Sequence, residues 1–297
     1  MSFSTQVKAE LCRAPISRKC CAQAEAYGVL LYCSLSTPAE VRITTESPEF
    51  AARLPQLFQK AFQVRFDRLP AEGAGKRIFS ITQPDKLSAL WSVFGHDPAE
   101  ALVHHINYAV LEEDHCRTAF LRGAFLAGGS VTDPAKRYHL ELATSHLSVS
   151  RELHALLLEM GFSPKESRRK ANAITYFKQS DAIEDFLTAM GAPLAAMELM
   201  NAKAEKDLRG SINRRVNCDA ANLDKAVDAA QGQIEAIYKL EERGMLENLP
   251  DKLKEAVDLR MAHPELTLSQ LAELCDPPVS KSAFNHRLRK LMELAKQ

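Results

Sequence analysis

Phe120-Leu121-Arg122-Gly123-Ala124-Phe125-Leu126-Ala127-Gly128-Gly129-Ser130 is the stretch whose reading decides the fold. It reads as a helix that carries a glycine, and small residues such as Gly123 and Ala127 let a second helix approach backbone to backbone. A weaker copy stands upstream, Glu25-Ala26-Tyr27-Gly28-Val29-Leu30-Leu31-Tyr32-Cys33-Ser34, with Gly28 opposite Gly123. Ordinary buried helices also contain glycines, so the segments downstream of each copy decide between the two readings. After the first come a strand-like Glu40–Thr45, a helical Pro48–Phe62, strands Val64–Leu69 and Arg77–Thr82, and a helical Asp85–Phe94. After the second come a strand Arg137–Thr144, a helical His146–Met160, strands Pro164–Lys170 and Ala173–Lys178, and a helical Ser180–Met190. Alternation marks the strands and a 3.6-residue period marks the helices. The same order in both halves predicts an internal αββαββα repeat.

Leu121–Gly129 resembles the LAGLIDADG signature of homing endonucleases. The resemblance implies a pseudo-two-fold pair of such halves, with antiparallel saddle-shaped sheets that would straddle DNA. Those enzymes place an acid near the end of the motif helix to hold their metal. Leu126 and Gly128 occupy the acid positions of the second copy, and Leu31 and Cys33 those of the first. A divalent cation needs hard oxygen ligands, and none of the four supplies one. Asp114, Asp133 and Glu25 are close in sequence but belong elsewhere on the helix or beyond its end. No catalytic residue, metal or cofactor is expected.

The chain has 297 residues, 38 basic and 38 acidic, so net charge alone does not point to a polyanionic partner. Met1–Ala14 carries charges and no apolar core stretch, unlike a secretory signal. No run approaches the ~20 apolar residues of a membrane helix. A soluble, cytoplasmic protein without a membrane partner is expected. The cysteines are Cys12, Cys20, Cys21, Cys33, Cys116, Cys218 and Cys275. They are odd in number and lack a CxxC pair, which favours reduced thiols over a zinc site or disulfides.

Charge distribution says more than its sum. Arg65, Arg68, Lys76 and Arg77 lie on or beside the second strand pair of the first half, and Lys165, Arg168, Arg169, Lys170 and Lys178 on the equivalent pair of the second. Such ribbons suit phosphate contacts, and equally suit exposed edges that discourage strand pairing. Beyond the break at Gly191-Ala192-Pro193, Leu194–Lys239 reads as long polar helical stretches. Arg209, Arg214 and Arg215, among Asn213, Asn217 and Asn222, fit either a phosphate backbone or a solvated helix face.

The tail reads as three helices. Asp251–Met261 stops before His263-Pro264, because proline constrains its predecessor. Thr267-Leu268-Ser269-Gln270 is a capping box for a short helix through Leu274. Asp276–Val279 makes a turn, and Ser280 caps a longer helix through Leu294. Short helix, turn and longer basic helix make a helix-turn-helix. At ~100° per residue, Phe284, Leu288, Leu291 and Ala295 share one side. Ser282, Asn285, His286, Arg289 and Lys290 take the other, the residue types that bond base edges. Lys281 and Arg287 flank that face, where phosphates would lie.

The whole chain resembles the WhiA family of bacterial regulators. The most specific strings are Asn213-Arg214-Arg215-Val216-Asn217 with Ala221-Asn222-Leu223, Leu259-Arg260 with His263-Pro264-Glu265, and Ser280-Lys281-Ser282-Ala283-Phe284-Asn285-His286-Arg287-Leu288-Arg289-Lys290-Leu291. Ala283 stands where the family usually has glycine, and the turn before Val279 is shorter. The resemblance implies a DNA-binding protein of cell division, chromosome segregation or sporulation, acting on the nucleoid.

The expected fold is α+β. A pseudo-two-fold LAGLIDADG-like αββαββα repeat with antiparallel saddle sheets precedes an all-α helix-turn-helix domain. Its expected parts are an N-terminal segment 1–21, a half 22–95, a connector 96–116, a half 117–190, a helical linker 191–248 and a helix-turn-helix 249–297. The expected function is a non-catalytic transcription regulator that binds double-stranded DNA as a monomer, the two-fold being met within one chain. An adaptor docking RNA polymerase or another regulator is the alternative. An active homing endonuclease is the third reading, and the missing acids oppose it.

Overall fold

The computed structural model describes residues 2–70, 75–95 and 104–296. The start of the expected connector, residues 96–103, lies outside the described residues. Two compact units divide the chain, Met1–Asp207 and Leu208–Gln297.

The first unit begins with a helix inside the N-terminal segment, for which the sequence patterns give no element. α1 (Phe3–Leu11) is capped by Ser2, whose hydroxyl accepts from the Thr5 N–H. α2 (Lys19–Tyr32) holds the first glycine window. β1 (Leu35–Ser36), β2 (Val41–Thr45), α3 (Pro48–Phe62), β3 (Arg77–Ile81) and α4 (Pro84–Ser92) follow it. The second window lies in α5 (Asp114–Gly128), followed by β4 (Gly129–Val131), β5 (Leu140–Thr144), α6 (Leu147–Glu159), β6 (Lys165–Arg169), β7 (Asn172–Phe177) and α7 (Ser180–Met190). The first half forms an antiparallel sheet in the order β1-β2-β3, and the second one in the order β4-β5-β7-β6.

α2 and α5 pack against each other at the centre. Residues 24–32 of α2 are all buried, the pattern of a core helix. A Cβ placed on Gly123 would lie 1.9 Å from the Glu25 carbonyl oxygen, and one on Gly28 would lie 2.2 Å from that of Phe120. The two glycines therefore set the backbone separation of the pair.

Beneath this contact sits a buried ion network. Arg53 Nε and Nη2 donate to the two Glu25 carboxylate oxygens at 2.5 and 2.8 Å. Arg122 Nη1 reaches Glu25 from α5 at 3.3 Å. Arg53 Nη1 also donates to the Cys12 and Ala14 carbonyls, at 3.1 and 2.6 Å. One carboxylate thus ties α2, α3 and α5 together.

One expected strand is absent. Val64–Leu69 makes only an isolated bridge, Arg68 to Ser80. The Asp67 carboxylate instead accepts from the Thr82 and Gln83 N–H groups, at 2.7 and 3.0 Å, so a side chain takes the place of a ladder. The short β1 and β4 are too brief to show alternation, and the sequence patterns do not reveal them.

Gly191, with φ +94°, ends α7 in the left-handed region that favours glycine. Pro193 then opens α8 (Pro193–Glu242), one unbroken 50-residue helix where separate helical stretches were expected. Glu10 of α1 caps it: its carboxylate accepts from the Leu194 and Ala195 N–H groups at 2.7 and 2.9 Å.

The second unit takes the rest of α8 and adds α9 (Asp251–Ala262), α10 (Leu268–Glu273) and α11 (Lys281–Leu294). Ile237, Leu240, Leu253, Val257, Leu271, Phe284, Leu288 and Leu291 form its core. The capping box at Thr267 and Gln270 is present, and the Ser280 hydroxyl accepts from the Ala283 N–H at 3.2 Å. Buried Arg260 donates to the Pro264 and Leu266 carbonyls, at 3.3 and 3.0 Å, and closes the α9–α10 corner.

Candidate nucleic-acid interface

α11 carries the predicted base-reading residues, and its orientation follows from its apolar stripe. Phe284, Leu288, Leu291 and Ala295 point into the core. Lys281, Ser282, His286, Arg289 and Lys290 are exposed, and Asn285 is half-buried. Among the described residues, no ion pair or side-chain hydrogen bond engages any of these six. They form a free polar face of donors and acceptors, projected by a helix whose opposite side is anchored.

Arg287, expected beside phosphates, has a partner within the unit. Its Nη1 donates to Glu255 Oε2 at 2.7 Å, and Glu255 Oε1 accepts the Asp276 N–H at 2.8 Å. The Asp276 N–H first, and the Arg287 guanidinium after it, hold the Glu255 carboxyl below its ordinary range. A backbone bond from Val279 N–H to the Ala272 carbonyl, 2.9 Å, adds a second tie across the turn. Together these contacts fix α9, the turn and α11. Glu255 is invisible to sequence reasoning, because no local pattern links positions so far apart.

Arg168, Arg169 and Lys170 lie at one hairpin. Every residue of β6 is exposed, and β6 is an edge of its sheet. Side chains alternate along a strand, so Arg168 and Arg169 take opposite faces. Arg169 is engaged by Glu141 through two bonds, at 3.1 and 2.8 Å. Lys165 shares its face, and Lys170 sits in the turn with φ +55°. Arg214 and Arg215 are exposed on α8, in a stretch where every residue from 211 to 229 is exposed. The tail residues thus share one helix, the hairpin residues one edge, and the α8 arginines a solvated helix surface.

Two of the four acid positions of the motif helices have become core, and the other two, Cys33 and Gly128, are half-buried. Leu31 and Leu126 are buried. The Cys33 thiol donates to the Leu35 carbonyl at 3.1 Å, and burial pushes its pKa up to about 12. Gly128 has no room for a carboxylate, since a Cβ there would stand 2.5 Å from the Ala143 carbonyl oxygen. In place of a metal-binding acid, Lys8 of α1 donates from Nζ to the Leu126 carbonyl at 3.1 Å. Burial lowers the Lys8 amine to about 8. The adjoining cleft, about 510 Å³, is lined by Thr5, Lys8, Thr44, Glu46, Leu126 and Ala127 among others, with Glu46 its one carboxylate among the described lining residues. One acid beside a lysine is a poor site for a hard cation.

Two glycine-paired helices under antiparallel sheets, joined to a helix-turn-helix, define a class: a degenerate LAGLIDADG-like domain fused to a helix-turn-helix module. Family models match both parts, the WhiA LAGLIDADG-like domain at residues 117–209 and the WhiA C-terminal HTH domain at residues 212–295. The "Probable cell division protein WhiA" of Alkaliphilus metalliredigens is 34% identical over 309 residues, covering 99% of this chain and 98% of the relative. That of Ruminiclostridium cellulolyticum is 36% identical over 306 residues, covering 100% and 98%. The crystal structure of full-length DUF199/WhiA from Thermatoga maritima shares the fold, with a TM-score of 0.60 at 22% identity over 100% of this chain and 98% of that one. The chain belongs to the WhiA family.

Proposed function

We propose that this protein is a non-cleaving, sequence-reading regulator of transcription that acts on the nucleoid in bacterial cell division, chromosome segregation or sporulation. The free face of α11 carries this reading. Arg and Lys match guanine edges, and Asn matches adenine, in a major groove wide enough for a helix. Ser282, Asn285, His286, Arg289 and Lys290 meet bases, Lys281 meets phosphate, and Arg287 holds the helix at its angle through Glu255. The names carried by the relatives support the division role. Among the described residues no helix is long and apolar enough to cross a membrane. The LAGLIDADG-like unit adds phosphate contacts through Arg168, Lys170 and Lys165, and the α8 arginines 214 and 215 add more. Loss of the metal-holding acids removes cleavage. Because the two halves supply their own two-fold frame, the protein works as a monomer.

The test separates base reading from phosphate contact. Arg289→Ala weakens binding to a preferred duplex by about 1–3 kcal/mol while affinity for random duplex changes little; Lys281→Ala weakens both alike. Fluorescence anisotropy with a duplex selected from genomic fragments, against a scrambled one, measures this. Equal losses on both duplexes for Arg289→Ala would remove its assigned role.

A further inference from the structure

The first turns of the two glycine-paired helices hold four soft donors. Cys20 and Cys21 are the second and third residues of α2, and His115 and Cys116 the second and third of α5. The offset that pairs Gly28 with Gly123 also pairs Cys20 with His115 and Cys21 with Cys116, so the pseudo-two-fold brings equivalent positions together. The three Sγ atoms and a ring nitrogen of His115 all lie within 4.8 Å of one another. His115 Nδ1 is 3.4 Å from Cys21 Sγ and 3.2 Å from Cys116 Sγ. Tetrahedral zinc, with Zn–S of about 2.3 Å and Zn–N of about 2.0 Å, needs donors roughly 3.5–3.8 Å apart. Closing this group around an ion takes shifts of about an ångström or less.

We propose that Cys20, Cys21, His115 and Cys116 form a structural Zn²⁺ site. Three cysteines and a histidine are one of the usual closed zinc sets, and thiolate donors select zinc over magnesium or calcium. A Cys₃His–Zn²⁺ centre carries a net charge of about −1, which suits the positive ends of two converging helices. Neither helix has a side-chain cap there. Cys20, His115 and Cys116 also line an open cleft of about 280 Å³, a path for the ion. The acid positions of the motif lie at the other ends of these helices, about 18 Å away along α2. The zinc therefore clamps the helix pair and takes no part in chemistry on DNA. Sequence spacing conceals the site, because each half contributes two adjacent ligands and no spaced pair.

Cobalt titration of the full-length reduced protein is the test. One equivalent of Co²⁺ gives the thiolate-to-cobalt charge-transfer band and the intense visible bands of tetrahedral cobalt, and Zn²⁺ abolishes both. Cys20→Ser, at an exposed position, and His115→Gln each weaken binding at least about 10-fold, the loss that even an outer-shell partner causes. Cys218→Ser, at an exposed cysteine of the other unit, leaves it unchanged. Far-UV circular dichroism checks that the variants fold, and the unmutated titration stands whether or not they do. Absence of the charge-transfer band in the unmutated protein, or the same band at the same affinity in Cys20→Ser, overturns the site.

Discussion

Gly123→Ala lowers the melting temperature of the LAGLIDADG-like unit by roughly 6–12 °C, the equivalent of about 3 kcal/mol in a unit of this size. Helix propensity alone predicts the opposite sign, since alanine is favoured over glycine by about 1 kcal/mol inside a helix. Packing decides the outcome. The added methyl would stand 1.9 Å from the Glu25 carbonyl oxygen and 2.8 Å from its carbonyl carbon. Both atoms belong to the α2 backbone, so no rotamer change relieves the contact, and the two central helices must separate. Their separation also strains the buried layer of Tyr27, Phe120 and Leu121. Gly232→Ala is the internal control. Gly232 lies within α8 and a Cβ there meets nothing within 4 Å, so this change leaves its own unit as stable or slightly more so. Calorimetry of the full chain reads both. A Gly123→Ala unit that melts at or above the original temperature would show that the helices are not held at backbone contact.

The second large effect comes from the carboxylate under that contact. Glu25→Leu destabilises the same unit by about 3–5 kcal/mol, because it leaves a buried guanidinium without its counter-charge. The side chain of Arg53 is 5% exposed and that of Glu25 is 3% exposed, so water does not replace the lost partner. Arg122, whose side chain is 12% exposed, loses its carboxylate at the same time. Arg53→Met in the Glu25→Leu background recovers part of the loss, since a buried pair replaced by apolar groups costs far less than half a pair. Denaturant unfolding of the single and double variants measures the coupling. If both single changes and the double change cost the same small amount, Glu25 is a solvated surface acid and the network has no structural weight.

How much of this fold is legible in the sequence depends on the range of the interaction. The boundaries of α3, α7 and α11 can be read because their signals are local: Ser47 and Pro48, Gly191, and Ser280 with its apolar stripe. The glycine windows announce a close helix pair because only a missing side chain permits it. Residues 64–69 mislead because their alternation is real, with Val64 and Phe66 turned inward, while Asp67 diverts the hydrogen bonds that a strand would need. The free face of α11 follows from helical geometry. The engagement of Arg287 by Glu255, the insertion of Lys8 beneath Leu126, and the meeting of Cys20 and Cys21 with His115 and Cys116 do not. Each joins residues from distant segments, and periodicity carries no information about such pairs. A long-range partner changes what a charged residue does without changing how its own neighbourhood reads. Arg169 and Arg287 therefore read like their free neighbours in sequence, and only the fold sets Glu141 and Glu255 beside them.

On the proposed function, a LAGLIDADG-like frame without the acids of its motif helices, joined to a helix-turn-helix, binds duplex DNA without cutting it. The most direct test is to incubate the full-length protein with a preferred duplex in Mg²⁺ or Mn²⁺, isolate the bound fraction, and resolve its strands on a denaturing gel. The predicted result is a retained complex in which both strands are intact. Specific scission of either strand, abolished by chelation of the metal, would contradict it.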